Sequence, residues 1–254
     1  MQAHADLRRV EEQSLNVTQT GRQLFYDGWL LRMMPGRIKR ARSVNAFYAS
    51  SLDVAHKIRH CEHVYAAAGL PSMFRITPFD APHDLDATLA AHGYAQFEAT
   101  DVLLAQLQAP PATGVRDDVD LRTPDLHAYC AAVAAIRGST HAQRDAHEAR
   151  LASAAVGHHC AIVLDEGRPV ASGQLAYEGD IGGVFDVITA TDARGRGHAT
   201  ALCAHLLTWA WSHGMRIAYL QVTSDNAPAL AVYRKFGFAP AYRYHYRCRP
   251  QEFA

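Results

Sequence analysis

The chain has 254 residues, of which 49% are hydrophobic and 20% are charged. This composition is typical of a globular protein, and the length is sufficient for two modest domains. Basic and acidic residues balance at 25 each. The sequence therefore lacks the positive excess with which nucleic-acid-binding proteins neutralise phosphates, and we expect no nucleic-acid partner.

The start of the chain shows no apolar core of a signal peptide, and no uninterrupted apolar stretch approaches the length of a bilayer span. The five cysteines are isolated from one another and form no C-x-x-C pair. Such cysteines favour reduced, buried thiols over a disulfide framework or a zinc ribbon. We therefore expect a cytoplasmic protein with no membrane partner.

The first part of the chain predicts a small α/β domain. Apolar periodicity and glycine stops define its elements. They are, in chain order, strands at 29–33 and 44–48, a helix at 52–68, a strand within 69–77 and a helix at 85–93.

A change of composition follows at residues 106–114, which contain two prolines and a glycine and show no apolar periodicity. This pattern is typical of a linker between domains. We place the linker at 109–114, between an N-terminal domain at 1–108 and a C-terminal domain at 115–254.

The C-terminal domain predicts alternating strands and helices, an α/β order in which helices cover a central sheet. The predicted elements are a strand at 115–122, helices at 124–137 and 143–155, strands at 160–164, 170–176 and 183–189, a helix at 199–213, a strand at 217–223, a helix that follows Asp225-Asn226 and ends at Gly237, and a strand at 242–248.

Residues 69–94 and 214–238 share one plan of strand, connection, helix and glycine-aromatic pair, after which a strand follows. This shared plan indicates that the N-terminal domain is a degenerate copy of the C-terminal fold.

The segment with the clearest chemistry lies between the predicted strand 183–189 and the predicted helix 199–213. The first amides of a helix have no intrahelical acceptor and favour an anion. Gly195 and Gly197 allow the backbone to approach a phosphate closely, and the small Ala199 and Thr200 leave the first turn unobstructed. The segment therefore predicts a diphosphate-binding site.

Arg194, Gly197 and Ala199 fill the fixed positions of the pattern [QR]-x-x-G-x-[GA], and the segment resembles the GNAT acetyltransferase superfamily. Alanine at the last position replaces the commoner glycine. The resemblance covers most of residues 115–250 and continues through Asn226-x-x-Ala229-x-x-x-Tyr233-x-x-x-Gly237-Phe238. It implies a GNAT-type mixed central sheet flanked by helices.

The resemblance also implies acetyl-CoA as co-substrate and transfer of its acetyl group to an amine by direct attack in a ternary complex, with no metal. The acceptor would be a small-molecule or peptide amine. The implied cofactor contacts are the strand backbone of Val187, Ile188 and Thr189, the amides of Arg194, Gly195, Arg196, Gly197, His198, Ala199 and Thr200, and Asn226. The N-terminal copy has no match to the pattern and is expected not to bind the cofactor.

Two candidate catalytic residues follow. Tyr233 matches the tyrosine that commonly protonates the departing thiolate in this family, a role that a phenol can fill. Asp186 lies on the strand that lines the acceptor side in this fold, where a carboxylate could take a proton from the ammonium, through water. Glu178 or Asp180 could serve instead, or water alone.

Three other interpretations compete with an acetyltransferase. His56, His60 and His63 share one helical face and could bind a metal, although a polar helix face is favoured. A basic cluster could bind RNA together with Arg194–Gly197, although a solvated loop is favoured. The basic cluster comprises Arg32, Arg37, Lys39, Arg40 and Arg42. The main alternative is a catalytically silent acyl-CoA-binding sensor or scaffold.

Overall fold

A computed structural model describes residues 2–18, 20–36, 38–114, 116 and 118–252. Within these ranges the chain forms seven α-helices: α1 (Gln2–Val17), α2 (Val54–Ala67), α3 (Leu85–Ala91), α4 (Leu126–Arg137), α5 (His141–Ala152), α6 (His198–Ser212) and α7 (Ala227–Arg234). The same ranges contain eleven strands: β1 (Gln23–Tyr26), β2 (Trp29–Arg32), β3 (Val44–Asn45), β4 (Phe74–Ile76), β5 (Ala95–Gln106), β6 (Asp120–Arg122), β7 (Gly157–Asp165), β8 (Arg168–Glu178), β9 (Ile181–Thr189), β10 (Ile217–Thr223) and β11 (Ala239–Cys248). Val115, where the predicted strand 115–122 begins, and Arg37 of the basic cluster lie outside the described residues.

The chain divides into two compact units. The larger unit comprises α1 and residues Val102–Ala241, and the smaller unit comprises Thr18–Asp101 and the chain from Tyr242 onward. Helix α1 belongs to the larger unit because Gln13 donates a hydrogen bond to the carbonyl oxygen of Ala176 and accepts one from the hydroxyl of Tyr219. The linker at 109–114 and the domains 1–108 and 115–254 stay predictions.

In the larger unit, β6 to β9 form an antiparallel meander and β10 joins β9 in parallel. The parallel pairing runs from Ile181 with Ile217 to Val184 with Leu220, although both strands continue beyond it. Helix α6 packs on this sheet with an apolar face that includes Leu202, Leu206 and Leu207, each fully buried. Beyond Val184 and Leu220, β9 and β10 no longer pair with each other.

In the smaller unit, β1, β2 and β3 are antiparallel neighbours, β4 joins β3 in parallel, and β11 pairs with β4 in antiparallel. The order β4, α3, Gly93-Tyr94 and β5 repeats the order β10, α7, Gly237-Phe238 and β11. The internal repeat predicted from the sequence is therefore present in the order of the elements.

Several predicted elements have different ends in the structure. Helix α4 begins after Asp125, whose carboxylate accepts from the amide of Ala128, and not after Thr123. Helix α5 begins two residues earlier than predicted, because Thr140 and Gln143 form a capping box. Helix α1 and strand β1 have no counterpart among the predicted elements.

The five cysteines are buried and form no disulfide. No helix in the described part of the chain combines the length and apolar character of a bilayer span. Over the same part of the chain, no three His, Cys, Asp or Glu side chains are grouped as metal ligands. His60, from the predicted histidine face, stacks on Tyr26 with ring centroids 3.8 Å apart.

A row of stacked rings lies between β7 and α6 and gives the larger unit a pH-dependent stability. His159 stacks on Trp209, and its Nε2 lies 3.2 Å from Nε2 of His205. Burial, followed by the neighbouring His205 and His213, lowers the pKa of His159 to about 4. The unfolded chain, with a histidine pKa of about 6.5, therefore binds this proton more readily than the folded chain.

The contribution of neutral His159 to the free energy of unfolding is fully present above pH 6.5 and is lost as the pH falls towards 4. We expect the free energy of unfolding to fall by about 2 kcal/mol more in the wild type than in His159→Phe between pH 7 and pH 4. Urea denaturation at several pH values measures this difference, with the exposed His141→Gln as control. The same pH dependence in wild type and His159→Phe would contradict it.

Candidate active site

An open cleft of about 600 Å³ lies in the larger unit beyond the last parallel pair of β9 and β10. The end of β9, the loop that precedes α6, the first turn of α6 and helix α7 form its walls. The lining residues are Val187, Ile188, Thr189, Ala193, Arg194, Gly195, Gly197, His198, Ala199, Thr200, Asn226, Pro228, Ala229, Val232, Tyr233 and Lys235.

The loop that precedes α6 presents backbone donors to this cleft. Gly195 and Gly197 have φ values of +78° and +84°, in the left-handed region that favours glycine. Gly197 is the N-cap of α6, and no side chain in the described residues caps this helix end. The first amides of α6 therefore keep their donor capacity, and this arrangement fits an anion such as a diphosphate.

Basic side chains surround the same loop. Arg116, which the sequence analysis did not single out, donates through Nη1 to the carbonyl oxygen of Arg196 at 2.7 Å. The side chain of Arg196 turns to Asp165 at 3.1 Å and does not line the cleft. Both ring nitrogens of His198 are buried and have no hydrogen-bond partner among the described residues. Burial, together with Arg116, lowers the pKa of His198.

Tyr233 lies on α7 at the wall of the cleft. Its ring packs edge-on against Phe238 with centroids 6.0 Å apart, and the residue is 9% exposed. Burial raises the pKa of its phenol well above the ordinary value. The hydroxyl therefore stays protonated at neutral pH and can donate a hydrogen bond to a developing anion.

Asp186 occupies a β-bulge next to the cleft without lining it. Ser172 pairs with Ile188 and Gln174 pairs with Phe185, so Asp186 and Val187 together face a single residue of β8. Its φ is +52°, which is uncommon for a residue with a side chain.

The Asp186 carboxylate is held by three side chains. Arg137 and Gln174 each donate to it at 2.8 Å, and Nε2 of His147 lies 3.5 Å from Oδ2. Burial alone would raise the pKa of this carboxyl, but His147 and Arg137 hold it well below its ordinary range. An ion-paired carboxylate of low pKa is a weak proton acceptor, which argues against Asp186 as the base expected from the sequence.

Glu178 and Asp180, the other carboxylates considered as bases, contact helix α1. Asn16 donates to Glu178 at 3.0 Å, and Arg9 pairs with Asp180. Neither carboxylate lines the cleft.

All the residues that line the cleft fall within residues 128–238, which match the family model described as "Acetyltransferase (GNAT) family". Residues 128–238 form a GNAT domain. Acetyl-CoA is the acetyl donor of this family.

The whole chain resembles known proteins of the same kind. It is 24% identical to the uncharacterized N-acetyltransferase YobR of Bacillus subtilis, over 96% of this chain and 99% of that protein. A GCN5-related N-acetyltransferase from Kribbella flavida superposes with a TM-score of 0.73 at 16% identity, over 96% of this chain and 95% of that one. A tandem GNAT protein of the clavulanic acid biosynthesis pathway gives 0.63 at 18% identity, over 76% and 68%. These likenesses show a GNAT fold.

The GNAT domain brings most of the sequence-predicted site residues to one cleft. The predicted strand residues, the signature loop, Asn226 and Tyr233 all line it, whereas the Arg196 side chain and Asp186 do not. The sequence analysis missed Lys235 of the lining and His147 beside Asp186. Neither belongs to a recognisable motif, so only the tertiary structure identifies them.

Asn226 has a structural role in addition to the predicted cofactor contact, since its side-chain oxygen caps α7 by accepting from the amide of Ala229 at 3.2 Å. Asn226→Asp keeps this acceptor and removes the amide donor. We expect the free energy of unfolding to change by less than about 0.5 kcal/mol, while CoA binding weakens by about 10-fold through loss of a donor and added negative charge. Calorimetry and denaturation measure the two effects.

The matched control is Asp125→Asn, which makes the reverse exchange at the cap of α4. It is expected to leave CoA affinity unchanged. Equal CoA affinity in wild type and Asn226→Asp would show that Asn226 serves the helix alone.

Proposed function

We propose that this protein transfers the acetyl group of acetyl-CoA to the amine of a small molecule or peptide. The observation that carries the proposal is the uncapped N-terminus of α6 behind Gly197, which opens into the cleft that Tyr233 also lines. One feature provides an anion site, and the other provides a proton donor for a thiolate. The buried free thiols also fit a reducing compartment such as the cytoplasm.

In this proposal the amides from Arg194 to Thr200 hold the diphosphate of the co-substrate, and Lys235 and His198 add polar groups at the cleft wall. The backbone of Val187–Thr189 is the edge along which the pantetheine arm lies. Because β9 no longer pairs with β10 at these residues, the peptide groups on the side away from β8 are available to a ligand.

The chemistry requires a neutral amine and a stabilised leaving group. The amine nitrogen attacks the thioester carbonyl, a C–N bond forms, and the C–S bond breaks. Tyr233 donates its phenolic proton to the departing sulfur and regains a proton from the product nitrogen, through water. One proton is released overall, because the acceptor enters as an ammonium ion.

The test combines binding with turnover. Purified full-length protein is mixed with acetyl-CoA and, in turn, benzylamine, spermidine, glucosamine and alanylglycine, while free thiol and product mass are followed. Acetylated product with an equal amount of free CoA is expected for at least one amine. Thermal stabilisation by CoA without turnover of any amine would indicate the silent acyl-CoA sensor.

A further inference from the structure

A cluster of polar side chains surrounds Asp186 on the side of the sheet that α4 and α5 cover. Arg137 from α4, His147 from α5 and Gln174 from β8 contact its carboxylate. Two further members complete the cluster, Tyr129 of α4, whose ring centroid lies 6.3 Å from that of His147, and His158 of β7. We call these six residues the Asp186 cluster.

The Asp186 cluster contains buried polar atoms that are not satisfied by the described residues. The hydroxyl of Tyr129 and at least one ring nitrogen of His158 have no hydrogen-bond partner there, whereas Nε2 of His147 faces Asp186 and His158 also faces Gln174. Tyr129 is fully buried and Gln174 is 2% exposed. Buried polar groups in folded proteins are paired with protein, water or a ligand, so the Tyr129 hydroxyl and the remaining His158 nitrogen are expected to bind water.

One member of the cluster, Asp186, adjoins the lining of the cleft in the chain. Asp186 precedes Val187, the first residue of β9 that lines the cleft. The left-handed conformation of Asp186 is costly for a residue with a side chain, and such strain persists where the surrounding structure imposes it. Asp186 is therefore next in the chain to a residue that lines the cleft, while its carboxylate contacts His147 of α5.

The geometry of His147 defines its tautomer. Its Nε2 lies 3.5 Å from Oδ2 of Asp186, and 11% of its side chain is exposed. An anion beside Nε2 favours the form in which this nitrogen carries the hydrogen, so Nδ1 keeps its lone pair. Arg137 donates to Oδ1 of Asp186 and Gln174 donates to Oδ2, and these two hydrogen bonds fix the orientation of the anion.

We propose that His147 accepts the proton of the acceptor ammonium through a water molecule, and that Asp186 is the residue that positions it. The proton moves from the ammonium nitrogen through the water to Nδ1, and the neutral amine then attacks the thioester. His147 afterwards returns the proton to solvent. This inference rests on the proposed acetyl transfer and assigns the base that the sequence analysis placed at Asp186.

The ionisable groups that face His147 come from three other elements: Tyr129 and Arg137 from α4, His158 from β7 and Asp186 from β9. Burial lowers the pKa of His158 and raises that of Tyr129, so both are neutral at pH 7. Asp186 is therefore the negative charge beside His147 that stabilises its protonated form.

The first test needs no acceptor. In full-length protein labelled with ¹⁵N-histidine, the His147 resonances are assigned by their loss in His147→Gln. We expect the Nε2–H tautomer at high pH in the wild type and a loss of this preference in Asp186→Asn, where the anion beside Nε2 is gone. Asparagine tolerates the left-handed backbone, so this variant keeps the bulge. An Nδ1–H tautomer in the wild type, or the same tautomer in Asp186→Asn as in the wild type, would overturn the pairing.

The second test is kinetic and uses whichever of benzylamine, spermidine, glucosamine or alanylglycine is turned over fastest. His147→Gln is expected to lower kcat about 100-fold at pH 7 with the acetyl-CoA KM unchanged. The loss should shrink to a few-fold above the pKa of the amine, because the amine is then neutral without a base. His141→Gln, on the exposed face of the same helix, should match the wild type.

A loss that is equal at every pH would overturn the proton-accepting role and leave only a structural one. If none of the four amines is acetylated, the proposed function fails, and the NMR experiment still decides whether the His147–Asp186 pair exists.

Discussion

Gly197→Ala is expected to weaken CoA binding by about 100-fold. The φ of +84° at Gly197 strains any residue with a side chain, so the loop must shift to accommodate alanine. A shift at the N-cap redirects the first amides of α6, which are the proposed diphosphate donors. The added Cβ itself would meet only the guanidinium of Arg116, at 3.0 Å, so backbone geometry and not steric contact causes the effect.

Gly179→Ala is the matched control. Gly179 also has a left-handed φ, of +58°, and has nothing within 4 Å of an added Cβ, but it does not line the cleft. Both variants should lose about 1 to 2 kcal/mol of unfolding free energy, whereas only Gly197→Ala should lose CoA affinity. Titration calorimetry and urea denaturation measure the two quantities. Equal affinity in both variants would contradict the role of the loop.

Tyr233→Phe is expected to lower kcat by about 100-fold while the CoA dissociation constant changes less than two-fold. Phenylalanine preserves the edge-on packing against Phe238, so the fold and the cleft wall are retained. What is lost is the proton that the phenol gives to the departing sulfur. Rapid mixing should show that the acetyl-CoA complex forms as in the wild type and then accumulates, because release of free thiol is slow.

Tyr177→Phe serves as the control, since Tyr177 lies in the same unit, packs against Trp209 and does not line the cleft. Its turnover should equal that of the wild type. An unchanged kcat in Tyr233→Phe would remove this residue as the proton donor and would point to water as the source.

Local features of the sequence predicted most of the residues that line the cleft. The signature loop depends on glycines that adopt positive φ and on a helix start, and both are properties of neighbouring residues. The start of α7 was predicted for the same reason, since Asn226 caps the helix by accepting from the amide of Ala229, three residues further along the chain. Such signals are readable without tertiary structure.

The acceptor side could not be predicted in this way. The properties of Asp186 depend on Arg137, His147 and Gln174, which lie 49, 39 and 12 positions away and converge only in the folded larger unit. Without those contacts a strand aspartate resembles an ordinary base. With them it is an ion-paired anion, and the proton acceptor is expected on the neighbouring helix.

The place of helix α1 in the larger unit also depends on contacts between residues that are far apart in the sequence. Its first residues carry charges and no motif, and its place in the larger unit depends on Arg9 with Asp180 and Gln13 with Tyr219, across more than 170 positions of chain. A linear search for domain boundaries uses composition and cannot detect such contacts.

The most direct test of the central claim is calorimetric titration of CoA into the full-length protein, with Gly197→Ala in parallel. Saturable binding of one CoA per chain with a dissociation constant of about 1 to 100 μM is expected for the wild type, with binding reduced about 100-fold in the variant. No heat of association at millimolar CoA would contradict the assignment of the α6 N-terminus as a diphosphate site, and with it the proposed acetyl transfer.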